Sequence, residues 1–124
     1  VNQYNFQMTR ISSDKFEVIN IYHSQGAETI QFIEKLNSLI NINKNCYIVG
    51  DFNINYLTEV SHPVIQEILS LGFKQLVQSA THSEGSLLDH AYVNFHKSHS
   101  HKASLNFPYY TDHAAVYIKT VPEE

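Results

Sequence analysis

Apolar residues recur along the chain with two different periods, one typical of strands and one of helices. The segment KFEVINIYH (15–23) is rich in β-branched and aromatic residues. Phe16 and Val18 lie on one face of an extended chain, and Ile19 and Ile21 lie on the other. Because both faces are apolar, the pattern predicts an internal strand in a layered core.

Two segments follow the helical period. Residues 27–41 (AETIQFIEKLNSLIN) are predicted to be an amphipathic helix lying on a sheet. Its apolar stripe is predicted to consist of Ile30, Ile33, Leu36, Leu39 and Ile40. Residues 61–72 (SHPVIQEILSLG) predict a second helix, since Pro63 suits its first turn and Gly72 its C-terminal stop.

Further strands are predicted at CYIVG (46–50), FKQLV (73–77), SLLDHAYVNF (86–95) and HAAVYIKT (113–120). The segment 96–111 before the last strand is predicted to be a polar loop, a short strand and a turn. Its histidines predict a solvated loop, with substrate contact and metal binding as alternatives. No repeat or linker interrupts this order, which indicates one α/β or α+β unit of stacked layers.

Composition and charge limit the function classes. The 124 residues are 43% hydrophobic and 12% aromatic, enough for the core of one domain or part of one. We find no membrane-spanning run or signal-peptide pattern, so we expect no membrane partner and favour a nuclear or cytoplasmic location. The net charge of −4 argues against holding nucleic acid by phosphate neutralisation alone. It is compatible with a metal-dependent enzyme, because bound cations reverse the local field.

Polar side chains occur at three strand edges where apolar residues are expected. They are Asp51 with Asn53, Asp89 with His90, and Asp112 with His113. An Asp in a strand is unfavourable and costly to bury unpaired, so each needs a partner. Each position also has an ordinary explanation as an Asx-type turn, a structural pair or a turn. Their joint occurrence in this order favours a shared site.

The residue types in these positions suit phosphoester chemistry. Carboxylate and amide oxygens at strand ends can hold a hard cation such as Mg²⁺. A carboxylate bonded to an imidazole fixes the tautomer of that ring and raises its basicity. Alternation along the strand places Asp89 with Ala91 and Val93, and His90 with Tyr92 on the opposite face. These groups predict metal-assisted phosphoester hydrolysis.

Four motifs resemble the endonuclease/exonuclease/phosphatase superfamily, which includes apurinic-type and retroelement endonucleases. They are VINIYHS (18–24), YIVGDFN (47–53), GSLLDHAYVN (85–94) and YYTDHAAVYI (109–118). The resemblance implies the C-terminal half of a four-layer α/β-sandwich of the deoxyribonuclease-like type. Residues 1–124 would be a single partial domain without its N-terminal half.

The resemblance also implies roles for particular residues. Asp51 would orient or deprotonate the attacking water and, with Asp112, bind metal. Asn53 would hold the scissile phosphate or the water. His113 would contact the phosphate and stabilise the transition state, with Asp89 as its buried partner.

A further phosphate contact is implied at the end of the first motif. Tyr22 would make it, with His23 as the rival if the strand register differs by one residue. For Tyr22, a plain buried aromatic residue is the alternative. The early Asn and the metal-binding Glu of the family have no counterpart upstream of Val18.

The first functional hypothesis is a phosphodiesterase dependent on Mg²⁺ or Mn²⁺, an endonuclease on DNA rather than RNA that resembles mobile-element nucleases. The alternative is a truncated, catalytically inactive relic acting as an oligomerising or protein-interaction module. A third hypothesis keeps the family but changes the substrate to a lipid head group or inositol phosphate. Because half of a sandwich exposes an apolar sheet face, we expect the missing half, a second copy or another protein to cover it.

Overall fold

The computed structural model describes residues 5–97, 99–108 and 111–122. Its strands and helices follow in the order β1 (Phe6–Ser12), β2 (Glu17–His23), α1 (Thr29–Leu39), β3 (Cys46–Asp51), α2 (Pro63–Ser70), β4 (Lys74–Gln75), β5 (Asp89–Val93), β6 (His99–Asn106) and β7 (Ala115–Pro122). Neither helix among these residues is long enough to cross a membrane.

The strands form two sheets. The larger sheet has the order β1-β2-β3-β5-β4, in which only β2 and β3 pair in parallel. Strands β6 and β7 form a separate antiparallel hairpin. Since β2 lies between β1 and β3, the prediction of an internal strand at this segment is confirmed.

The two faces of the larger sheet have different coverings. Side chains such as Ile19, Ile48 and Tyr92 pack with α1 and α2 in the main core. On the opposite face, Val49 and Ala91 pack with inward residues of the β6–β7 hairpin in a smaller core. The molecule therefore stacks helices, a sheet and a hairpin in three layers, which is the α+β arrangement that the sequence predicts.

The hairpin leaves part of its sheet face uncovered. On β1 and β2, Ile11 is 63% exposed and Tyr22 is 48% exposed. Both point to the face that carries Val49, because Ile11 pairs with Val18, and Tyr22 lies four residues further along β2. The expected open face is thus confined to the β1–β2 side of the sheet.

The first helix turns most of the predicted stripe toward the core, with Phe32 in place of Ile30. Phe32 and Leu36, four residues apart, are fully buried, and Ile33 and Leu39 pack beside them. Ile30 is 70% exposed, so its predicted place in the stripe is wrong. At 100° per residue, Ile30 lies nearly opposite Phe32, whose larger ring takes the core position.

Other segments also differ from the prediction. Strand β1 had not been predicted, and β4 is only two residues long. Strand β6 has eight residues where a loop with a short strand was expected. The rings of His99 and His101 pack against Phe95 within 5.1 and 4.8 Å, so the prediction of a solvated histidine loop is wrong there. Pairing with β7 satisfies the backbone of this polar segment, which propensity alone does not reveal.

Candidate active site

Strand β3 ends at Asp51, and the residue before it, Gly50, lies too close to the backbone of β2 to carry a side chain. Gly50 has φ +141°, a conformation that L side chains rarely adopt. A Cβ there would lie 2.0 Å from the carbonyl oxygen of Ile21 on the neighbouring strand β2. After this close approach of the two backbones, Asp51 lies at the end of β3, opposite Asp89 of β5, with which it is paired in register.

Asn53 closes a tight turn directly after Asp51. Its backbone N–H donates to Oδ1 of Asp51 at 3.0 Å, and its φ of +51° is one that Asn tolerates. Its side-chain Nδ2 donates to the carbonyl oxygen of His23 at 2.7 Å. The segment is therefore the Asx-type turn considered above, and the same turn fixes the amide beside the carboxylate.

His113 lies between two carboxylates. Its Nδ1 donates to Oδ2 of Asp89 at 2.7 Å, and its Nε2 lies 3.9 Å from Oδ2 of Asp51. The hydrogen bond with Asp89 is the main reason why the pKa of His113 is raised, with Asp51 and Asp112 adding to the effect. The imidazole is thus held with Nε2 directed toward Asp51 and available for a proton or a ligand.

Burial sets the protonation behaviour of Asp51. It is the main reason why the pKa of Asp51 is raised, and the charge of Asp89 acts in the same direction. The hydrogen bond from Asn53 and the charge of His113 oppose the rise. A carboxylate with a raised pKa is a stronger base toward water than an exposed one.

Asp112 lies apart from Asp51. Its Oδ2 is 3.0 Å from Nε2 of His82, and its side chain is 62% exposed. Two clusters within the described residues could hold a metal: Asp51, Asp89 and His113 in one, and His82, Asp112 and His113 in the other. The structure therefore does not bring the two predicted metal ligands into one cluster.

The register of β2 separates Tyr22 from its rival. Tyr22 pairs with Asp51, so both side chains project from the same face of the sheet. His23 points the other way into the helix layer, where its ring packs 4.7 Å from that of Phe32 and its Nδ1 bonds the carbonyl oxygen of Phe52. Of the two residues, only Tyr22 is on the side where a substrate could reach Asp51. It is half-exposed rather than a plain buried aromatic residue.

A polar cleft of about 430 Å³ adjoins the cluster. Asn53, His82 and His113 line one part of it, and Glu59 and Glu84 contribute acidic groups to its wall. This cleft gives a bound ligand direct access to the amide and the imidazole.

The residues present fit a hard divalent cation. Oδ1 of Asp51 accepts a hydrogen bond from Asn53, while the 3.9 Å separation from His113 leaves Oδ2 free for a ligand. Asn53 donates its amide nitrogen to the protein, which leaves Oδ1 as the acceptor end. Mg²⁺ is commonly held by one or two carboxylates, with water and substrate phosphate completing the shell.

Sequence reasoning missed Thr81 and His82. Both lie in the polar segment between β4 and β5, where no apolar period marks a position as special. Thr81 is fully buried, and His82 contacts Asp112. Their importance follows only from the way this segment folds against β7.

Comparison with known proteins agrees with this architecture. No protein-family model matches the chain, and no curated protein does. Among solved structures, the chain is similar to an endonuclease/exonuclease/phosphatase family protein from Leptotrichia buccalis C-1013-b, with a TM-score of 0.65 and 14% sequence identity. The chain has the fold of that family's C-terminal part.

The match covers 93% of this chain and 53% of the Leptotrichia protein, so the chain spans about half the length of that structure. The predicted fold class and the predicted resemblance are confirmed at the level of the fold. The roles implied for the site residues stay predictions. Of the fourth motif, YYTDHAAVYI, Tyr109 and Tyr110 lie outside the described residues.

Proposed function

We propose that this chain provides the base and histidine side of a divalent-metal-dependent phosphodiesterase site. The observation that carries the proposal is the position of His113, which bonds Asp89 at 2.7 Å and faces Asp51 at 3.9 Å. The family fold supports a metal-dependent phosphoesterase at that general level.

The chemistry follows from the protonation states of these groups. Asp51, whose pKa is raised, accepts a proton from the attacking water. His113, whose pKa is raised mainly by its bond to Asp89, is the cationic donor toward the phosphate oxygens as negative charge builds on them. The amide oxygen of Asn53 accepts a hydrogen bond from the attacking water or binds the cation. Tyr22 projects from the same sheet face as Asp51 and contacts the phosphate.

A bound Mg²⁺ or Mn²⁺ would neutralise the phosphate and polarise it toward attack. Asp51 and the Oδ1 of Asn53 are the residues that would hold it, and Asp112, which lies in the other cluster, would organise the site from outside the ligand shell of that ion.

For the substrate we propose DNA, cut internally by an endonuclease related to those of mobile elements. The support is the resemblance of GSLLDHAYVN and its companion motifs. Glu59 and Glu84 on the cleft wall add negative charge near the phosphate position, so we expect strict dependence on the cation.

The test is cleavage of supercoiled plasmid DNA with Mg²⁺ or Mn²⁺, comparing wild type with Asp51→Asn and His113→Gln. Asp14→Asn is the matched control, since Asp14 is an exposed carboxylate in the β1–β2 turn. We expect cleavage to be lost in the first two variants and kept in the control. Cleavage that persists in Asp51→Asn would contradict the role of this residue.

A second candidate function is an interaction module without activity. One observation favours it: Ile11 and Tyr22 are exposed on the open β1–β2 side of the sheet face. The occupant of that face would be a separate N-terminal half, a second copy or another protein. Absence of cleavage by the chain, both alone and with a complementary half, would favour this function.

The self-association version has its own test. Ile11→Asp places a charge on the open sheet face, and Ile30→Asp places one on the exposed side of α1 as a control, since Ile30 is 70% exposed. We expect analytical ultracentrifugation to show dissociation only for Ile11→Asp. A wild-type chain that stays monomeric at high concentration would exclude a homo-oligomer formed through this face.

A further inference from the structure

The segment between β4 and β5 contacts both acids that flank His113 in the candidate site, Asp89 and Asp112. Its residue His82 forms an isolated backbone bridge with His113. The N–H of Ala114 donates to the carbonyl oxygen of Thr81 at 2.6 Å, and the N–H of Ser83 donates to that of Asp112 at 2.8 Å. These bonds fasten the start of β7 to a segment that continues directly into β5.

The Thr81 hydroxyl fixes the start of β5. Its Oγ1 accepts the backbone N–H groups of Leu88 and Asp89, both at 3.0 Å. Thr81 is fully buried, so water cannot replace this acceptor. The bond determines where the backbone of Asp89 lies and hence where its carboxylate meets Nδ1 of His113.

His82 fixes the second acid through a defined tautomer. Its Nδ1 accepts the N–H of Glu84 at 3.1 Å, which places the proton of the neutral ring on Nε2. Nε2–H donates to Oδ2 of Asp112 at 3.0 Å. The His82 ring is 17% exposed and the Asp112 side chain 62%, so a held ring orients a carboxylate that would otherwise rotate in water.

We propose that Thr81 and His82 form a clip that positions the acids of the site, Thr81 acting on Asp89 and His82 on Asp112. Both are positioning residues, because they act through other residues rather than on substrate. The catalytic consequence rests on the proposed function, whereas the structural part does not. Groups that hold a catalytic or metal-binding residue in place commonly contribute about 10- to 100-fold in activity.

Two variants of His82 separate its two bonds. Asn carries its oxygen where His carries Nδ1, so His82→Asn keeps the bond from Glu84 and loses the reach to Asp112. Gln extends to the position of Nε2, so His82→Gln keeps a donor for Asp112. We expect His82→Asn to lower kcat about 10- to 100-fold with little change in KM, and His82→Gln to retain most of the rate. Equal rates in His82→Asn and wild type, or equal losses in both variants, would overturn the role of His82.

Thr81 is tested by the pair Thr81→Val and Thr81→Ser. Val keeps the shape and removes the acceptor, whereas Ser keeps the acceptor. The readout is the tautomer of His113, measured from long-range ¹H–¹⁵N correlations of its ring at a pH above its raised pKa, where the ring is neutral. This measurement needs no activity, so it also decides the case if the wild type does not cleave DNA.

In the wild type we expect His113 to carry its proton on Nδ1, the less common tautomer of a free imidazole, because Asp89 accepts it. Thr81→Ser should keep this state, and Thr81→Val should move population to Nε2–H. An unchanged tautomer in folded Thr81→Val would overturn the positioning of Asp89. If Thr81→Val does not fold, the Asp112→Asn variant is used: it should shift the Nε2 resonance of His82, and an unchanged resonance would overturn the clip.

Discussion

Replacing Asp51 by Asn should stabilise the fold while removing activity. Asp51 and Asp89 are paired directly across β3 and β5, so two carboxylates face each other at the sheet edge. Burial and this repulsion raise the pKa of Asp51, which means that its charged form costs folding free energy at neutral pH. Asn keeps an oxygen that can accept the N–H of Asn53 and carries no charge.

The magnitude follows from the pairing geometry. Like charges directly opposite each other on antiparallel strands are destabilising by about 0.2–1 kcal/mol, and we expect Asp51→Asn to recover this amount. For a chain of this size the gain corresponds to an increase in Tm of about 1–4 °C. The gain should disappear below about pH 4, where the carboxyl is protonated in the unfolded chain as well.

Asp89→Asn is the matched control, because it removes the same repulsion. It also removes the charged acceptor of the 2.7 Å bond from His113. A hydrogen bond to a charged group contributes about 1.5–3 kcal/mol, with the lower end expected here because the His113 side chain is 32% exposed. We therefore expect a net loss of about 1 kcal/mol in the control. Urea unfolding at pH 7 and pH 4 measures both variants, and a destabilised Asp51→Asn at pH 7 would refute the reasoning.

Three further outcomes are expected. Gly50→Ala should cost more than about 2 kcal/mol in urea unfolding, since its Cβ meets the Ile21 carbonyl oxygen at 2.0 Å; Gly72→Ala, with φ +92° and open space, should cost clearly less. The thiol of Cys46, whose pKa burial raises to about 12, should react with a disulfide reagent only after denaturation. Because the pKa of His113 is raised in the folded state, its stabilisation is fully present below about pH 6.5 and is lost as pH rises through the folded value. The stability difference from His113→Gln should therefore shrink as pH rises above about 6.5.

Strand periodicity was sufficient to predict the two faces of β5. Alternation assigned Asp89 and His90 to opposite sides, and the structure has Asp89 toward the hairpin and His90 buried against Phe52 on the helix side. The prediction succeeded because a period of two is a property of the extended backbone itself.

Long-range pairing explains what the sequence did not reveal. Strand β1 (FQMTRIS) has a mostly polar sequence and owes its structure to its full register with β2. The clip of Thr81 and His82 likewise depends on this segment folding against the residues just before β7, and His82 and His113 are 31 residues apart in the chain. Local propensity carries no information about such contacts, whereas it does predict the helices and the central strands.

The pair of His113 and Asp89 links the two sheets, since Asp89 begins β5 and His113 lies two residues before β7. Forming the pair and docking the hairpin are therefore thermodynamically linked, and each stabilises the other. Apolar residues of the hairpin interface such as Val116 and Ile118 share in this coupling although they do not take part in the chemistry. The geometry of the candidate site therefore depends on how well the layers are packed, and loosening the hairpin should alter the bond between His113 and Asp89.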